Sequence, residues 1–128
     1  MLLPEDEDFL KRKGFEYEVA LEEGYVSVTI KNYPLPPGYQ VAAADLLVRL
    51  PVGFPDASPD MWWCTPAVLL ANGGHVTNTE VTEVRHGRTW QRWSRHFIQG
   101  ATWSYGRSGL ESYLTLIMSD FAKWVRAA

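Results

Sequence analysis

Cysteine is almost missing from this sequence: Cys64 is the only one in 128 residues, so an internal disulfide is excluded and a reducing, cytoplasmic setting is expected. Three histidines stand scattered beside that single thiol, without zinc-type spacing, and neither a metal nor a cofactor is expected. Charge of one sign is also lacking. The formal net charge is −3, the pI about 5.6 and no long like-charge run occurs, which removes the global footprint of a nucleic-acid binder. No apolar run is long enough to span a bilayer, so no membrane partner is expected. Met1-Leu2-Leu3-Pro4, followed by acids, has neither the basic nor the apolar region of a secretory signal. Repeats and low-complexity segments are absent.

What is present suits one core. Hydrophobic residues make up 46% and charged residues 21%, an ordinary globular balance, and 128 residues cannot fill two cores; a single domain over 1–128 is expected. Six tryptophans are many, and a large apolar ring with one polar atom serves cores and interfaces alike.

Glu5-Asp6-Glu7-Asp8 followed by Lys11-Arg12-Lys13 and Gly14 complements a helix dipole and predicts a short helix over 5–13. Tyr17, Val19 and Leu21 alternate, Glu22-Glu23-Gly24 turns the chain, and Val26, Val28 and Ile30 alternate again, which predicts a hairpin. The proline-rich stretch 33–39 reads as a loop. A third strand follows over 44–50, with Leu46, Val48 and Leu50 on one face and Asp45, Leu47 and Arg49 on the other, and a short aromatic fourth strand over 61–65. From 66 to 106 regular pattern fades, and so long an irregular stretch in a compact domain is either functional or a misread element. Ser108-Gly109-Leu110-Glu111 forms a capping box, and Leu110, Tyr113, Leu114, Ile117, Phe121, Trp124 and Val125 recur at helical spacing. The sum is an α+β fold: an N-terminal helix, a four-stranded antiparallel meander, a long irregular segment and a C-terminal helix.

Pro51-Val52-Gly53-Phe54-Pro55-Asp56-Ala57-Ser58-Pro59 after the third strand resembles the proline element of the E2 (ubiquitin-conjugating) superfamily, with Ser58 replacing the first of its terminal proline pair. Trp103-Ser104 ahead of a capped helix is similar to that superfamily's tryptophan element. Leu35-Pro36-Pro37-Gly38-Tyr39, Pro59-Asp60-Met61-Trp62 and Trp90-Gln91-Arg92-Trp93-Ser94-Arg95-His96 resemble its prokaryotic E2 family E branch. The resemblance implies an E2-like fold and a carrier or transferase that accepts a ubiquitin-like C-terminus from an E1-like adenylating enzyme. It implies docking of that enzyme at the N-terminal helix, at Lys11 and Arg12, and of further partners at Trp63 and Trp103-Ser104-Tyr105. The superfamily's His-Pro-Asn and its cysteine are missing: counting back from Trp103 leads to Arg95, between Ser94 and His96.

The candidate acyl acceptors are therefore alternatives. Ser94 needs a base, and His96, His86 or His75 would have to serve, with Arg85, Arg88, Arg92 and Arg95 stabilising an oxyanion. Set against this, the aromatics pack and the arginines stack on them. Cys64 has the better nucleophile, yet ends an aromatic strand where a buried structural cysteine is the ordinary outcome. Lacking either acceptor, the chain would be a non-enzymatic E2 variant that binds the same partners. A nucleic-acid module built on the arginine and tryptophan cluster is a third reading, opposed by the acidic balance.

Overall fold

The structure, a computed structural model, describes residues 2–57, 59, 61–95 and 109–127. Helix α1 (Pro4–Arg12) starts on a proline, whose missing N–H costs nothing in a first turn; Glu5, Asp6 and Glu7 meet the positive end of the dipole and Lys11 and Arg12 the negative end. Strands β1 (Tyr17–Glu22) and β2 (Tyr25–Pro34) form the expected hairpin. Its two-residue turn takes left-handed φ values of 41° at Glu23 and 86° at Gly24, the twist a tight hairpin requires.

β2 runs further than expected. Its register shifts between Ile30 and Tyr33, where Asn32 has φ 51° and its N–H donates to Asp45 Oδ1 at 2.9 Å. Beyond this bulge Tyr33 and Pro34 pair with Ala44 and Ala43, so the loop begins after Pro34; a proline is tolerated there because it closes the strand. Strands β3 (Ala43–Leu50) and β4 (Met61–Thr65) complete the meander.

The segment expected to be irregular holds a second hairpin, β5 (Thr82–Arg85) and β6 (Arg88–Ser94), so the meander of four is a sheet of six in the order β1-β2-β3-β4-β6-β5, antiparallel at every pairing. The hairpin escaped the alternation rule because Glu83, Arg85, Arg88 and Arg92 occupy its outward positions, while Val84, on the inward parity of this edge strand, is 75% exposed. The usable signal was the turn: His86 and Gly87, at φ 52° and 73°, repeat the left-handed pair seen at 23 and 24.

One sheet face is packed. Val28, Ile30, Leu46, Val48, Trp62, Cys64 and Trp93 line it, and Leu110, Tyr113, Leu114, Ile117 and Phe121 of helix α2 (Leu110–Ala127) cover it, joined by Phe9 and Leu10 of α1. Trp62 stacks on Trp93 at 5.7 Å, and Phe121 meets Trp93 edge-on at 4.7 Å. Such ring pairs add about 0.5–1.5 kcal/mol each beyond the area they bury. Tyr39 donates its hydroxyl to the Phe121 carbonyl at 2.6 Å, and Gly38 beside it, at φ 114°, leaves no room for a Cβ, which would stand 2.6 Å from Val125 Cγ1.

Ser108, expected to cap α2, lies outside the described residues. Within them the cap comes from the other end of the chain: Asp6 Oδ1 accepts the Leu110 N–H at 3.2 Å. Burial raises the Asp6 carboxyl above its ordinary range; the Leu110 bond opposes this and neighbouring Glu5 adds to it.

Candidate functional site

The second sheet face carries a network of paired charges. Strand alternation turns Leu47 of β3, Trp63 of β4 and Arg92 of β6 outward side by side, with Met61 beside Ser94 one pair along. Leu47, Trp63 and Trp90 form a small core of their own under this face, with Met61 against it. Above it sits Glu83, gripped from three sides: Trp63 Nε1 donates to Oε1 at 3.0 Å, Arg85 Nε and Nη2 to the same oxygen at 3.2 and 2.9 Å, and Arg92 Nη1 to Oε2 at 2.8 Å. Burial pushes the Glu83 carboxyl upward, but the bonds from Arg85, Trp63 and Arg92 outweigh it and hold the group below its usual range. Arg92 Nε extends the chain of contacts, donating to Ser94 Oγ at 3.1 Å.

A second set of charges faces this one. Glu22 on β1 accepts a hydrogen bond from the Ser27 hydroxyl, stands 3.8 Å from Arg49 Nε, and is 3.5 Å from His86 Nε2 at the tip of the β5–β6 hairpin. The hairpin thus reaches β1, and the sheet curls around a trough. Arg49 lies over the Tyr25 ring at 4.2 Å. Between Arg49 on one wall and Arg85 and Arg92 on the other is a cavity of about 410 Å³.

The predicted residues fall as follows. Ser94 closes β6, half-buried, its hydroxyl on Arg92 and its N–H on the Asn78 carbonyl. His86 lies beyond the opposite end of that seven-residue strand, about 20 Å away at strand rise, and His75 is exposed on a loop; neither bonds Ser94. His96, Trp103, Ser104 and Tyr105 lie outside the described residues. Cys64 is 1% exposed, in register with Leu46 and Gln91 on a central strand, and burial pushes its thiol far above the ordinary value. A thiol so placed holds no appreciable thiolate at neutral pH. Trp63 is buried beneath Arg85, whose guanidinium covers the ring at 4.8 Å. Lys11 and Arg12 are exposed, pairing within the helix with Glu7 at 3.9 Å and Asp8 at 3.1 Å.

All four arginines of the expected cluster meet carboxylates. Arg85 and Arg92 hold Glu83, Arg88 Nη1 donates to Asp45 Oδ2 at 2.9 Å, and Arg95 Nε to Asp120 Oδ2 at 2.7 Å. Three of them also stack on indoles, Arg85 on Trp63, Arg88 on Trp90 at 5.0 Å and Arg95 on Trp93 at 5.0 Å. Arg95 is the buried one: its side chain is 9% exposed and Nη1 also reaches the Thr77 and Ser94 carbonyls. Glu83, and the placing of Arg49 on Tyr25 across the cavity from it, were missed in the sequence. The outward set Asp45, Leu47 and Arg49 on β3 was the signal, once extended across the neighbouring strands. Among the described residues no three His, Cys, Asp or Glu side chains group to hold a metal ion, and no helix is long and apolar enough to cross a membrane.

An antiparallel sheet covered on one face by α1 and α2, with a polar trough on the face away from α2, defines an α+β protein. The chain belongs to prokaryotic E2 family E, whose family model matches residues 2–124. No curated protein and no solved structure matches it.

Proposed function

We propose that the chain is the E2-like component of a prokaryotic ubiquitin-like conjugation pathway in the cytoplasm, accepting the C-terminus of a ubiquitin-like protein from an E1-like adenylating enzyme. The observation that carries this is the family match over residues 2–124, which includes the whole described sheet and nearly all of α2. With the only thiol in the core, the acceptor in this reading is a hydroxyl. Ser94 is the candidate, because it ends an interior strand with its Oγ already on a guanidinium N–H, and His96 two positions on is the candidate base. Ser94 Oγ attacks the carbonyl carbon of the E1-bound acyl group, the new C–O bond forms as the bond to the E1 leaving group breaks, and the hydroxyl proton passes through the base to that leaving group. Lys11 and Arg12 on exposed α1 remain the candidate E1-facing cations, and Trp103, Ser104 and Tyr105 the candidate contacts for later partners.

A second reading has its own observation. The burial of Cys64 favours a non-covalent E2 variant that brings E1-like and ubiquitin-like partners together. Mixing the chain with both partners and ATP separates the two. An adduct that resists thiol, yields to hydroxide and disappears in Ser94→Ala supports the carrier; a stable complex without an adduct supports the variant. A thiol-labile adduct that disappears in Cys64→Ala keeps the carrier and refutes Ser94 as its acceptor, and no interaction of any kind overturns both readings.

A further inference from the structure

We propose that the trough on the sheet face away from α2 is a binding site for a carboxylate of an extended acidic peptide, received by Arg49, Arg85 and Arg92. This does not depend on which residue, if any, carries an acyl group. Three observations converge on it.

The first is a surplus of aimed donors. Arg85 spends Nε and Nη2 on Glu83, and Arg92 spends Nη1 on Glu83 and Nε on Ser94. Arg85 Nη1, Arg92 Nη2 and both Nη atoms of Arg49 make no hydrogen bond to the described residues. Arg49 Nε is shut off from solvent without a hydrogen bond to them, its nearest acceptor being Glu22 at 3.8 Å. Guanidinium forks match the two oxygens of a carboxylate, and these are fixed in advance: Arg49 on Tyr25, Arg85 on Trp63, Arg92 on Glu83.

The second is the charge count. Among the described residues, three guanidinium groups stand against the carboxylates of Glu83, which lines the cavity, and Glu22, which stands 3.8 Å from Arg49 Nε, an excess of one positive charge. One carboxylate brings the trough to neutrality. A phosphate dianion overshoots, and it would face Glu83, which three donors hold in place.

The third is shape. The cavity, about 410 Å³, has room for more than one side chain, and Tyr25, Pro51, Pro59 and Met61 give it apolar walls beside the cations. An acidic residue with apolar neighbours in an extended chain fits such a lining, since alternate side chains of an extended peptide project together.

The test uses the full chain, labelled with nitrogen-15, and three hexapeptides blocked at both ends: alternating Leu and Glu, alternating Leu and Gln, and alternating Leu and phosphoserine. The Glu peptide is expected to shift the Trp63 indole N–H resonance, because that group shares Glu83 with two of the three trough arginines, Arg85 and Arg92. The Gln peptide should bind at least about tenfold more weakly by anisotropy, and the Glu peptide should lose affinity as salt is raised. Arg49→Gln and Arg85→Gln should each weaken it about tenfold or more, while Lys123→Gln, which removes an exposed charge on α2, should leave it unchanged. Near-UV circular dichroism identifies a variant that has lost its packing, in which case the other arginine decides. Equal binding of the Glu and Gln peptides, tighter binding of the phosphoserine peptide, a static Trp63 signal at millimolar Glu peptide, or indifference to both arginine substitutions overturns the proposal.

Discussion

Arg95→Met, Asp120→Leu and their combination test the packing beneath α2 most directly. Arg95 and Asp120 meet at 2.7 Å with both side chains 9% exposed, so removing one leaves an uncompensated charge among Trp62, Trp93 and Trp124. Breaking a buried pair from one side costs about 3–5 kcal/mol. With an unfolding entropy of about 2.1 cal/mol/K per residue, a chain of this length loses about 11–19 °C of Tm for that cost. The double variant removes both charges. It also loses Arg95's bonds to the Thr77 and Ser94 carbonyls and Asp120's bond from Trp124 Nε1, about 0.5–1.5 kcal/mol each, but it relieves the buried Nη2 of Arg95, which has no partner among the described residues. The double should therefore lie within about 2 kcal/mol of the parent, against about 6–10 if the single losses added, a coupling of about 4 kcal/mol or more. Urea and thermal unfolding of the four proteins give the cycle, and the single-variant losses should persist in about 1 M salt, since the pair is shut off from the ions. Single losses under about 1 kcal/mol, or additive ones, refute a solvent-excluded pair.

Two more outcomes follow from buried groups. Asp6→Ala should cost about 1 kcal/mol by removing the acceptor for Leu110 N–H. Asp6→Asn keeps an acceptor and changes the pH dependence: with its folded pKa raised above the unfolded value, Asp6 favours the native state most below about pH 4, and that contribution is lost as pH rises through the folded pKa. The Asn variant should thus gain on the parent in urea unfolding from low to neutral pH, and a constant difference refutes the assignment. Cys64, in turn, should resist iodoacetamide in the native protein and react at the rate of unfolding, while Cys64→Ser should cost about 1–3 kcal/mol by placing a hydroxyl in an apolar site; rapid native labelling refutes this.

Much of the fold was legible because one local rule dominated each element. Dipole complementarity marked α1, alternation marked β1 to β3, an aromatic run marked β4, and apolar spacing marked α2. The capping of α2 by Asp6 was not legible, since no local pattern reports an acceptor 104 residues away. The β5–β6 hairpin was illegible for another reason: its outward cations and Glu83 pair with one another and with Trp63 and Asp45 on other strands, so polarity there reflects pairing rather than exposure to water. The candidate site was legible in part. Ser94 and Trp63 were singled out, but the hydrogen bonds that join them through Glu83 and Arg92 depend on strand order, which composition does not encode.

The contact between Asp6 and Leu110 also bears on how the chain is made. The acceptor leaves the ribosome more than a hundred residues ahead of the donor it serves. During synthesis α1 can coil early, yet its carboxylate waits, solvated and charged, until the final helix emerges and docks. Docking of α1 and α2 is thereby a single late event, and the contacts that join these two helices should be among the slowest to form.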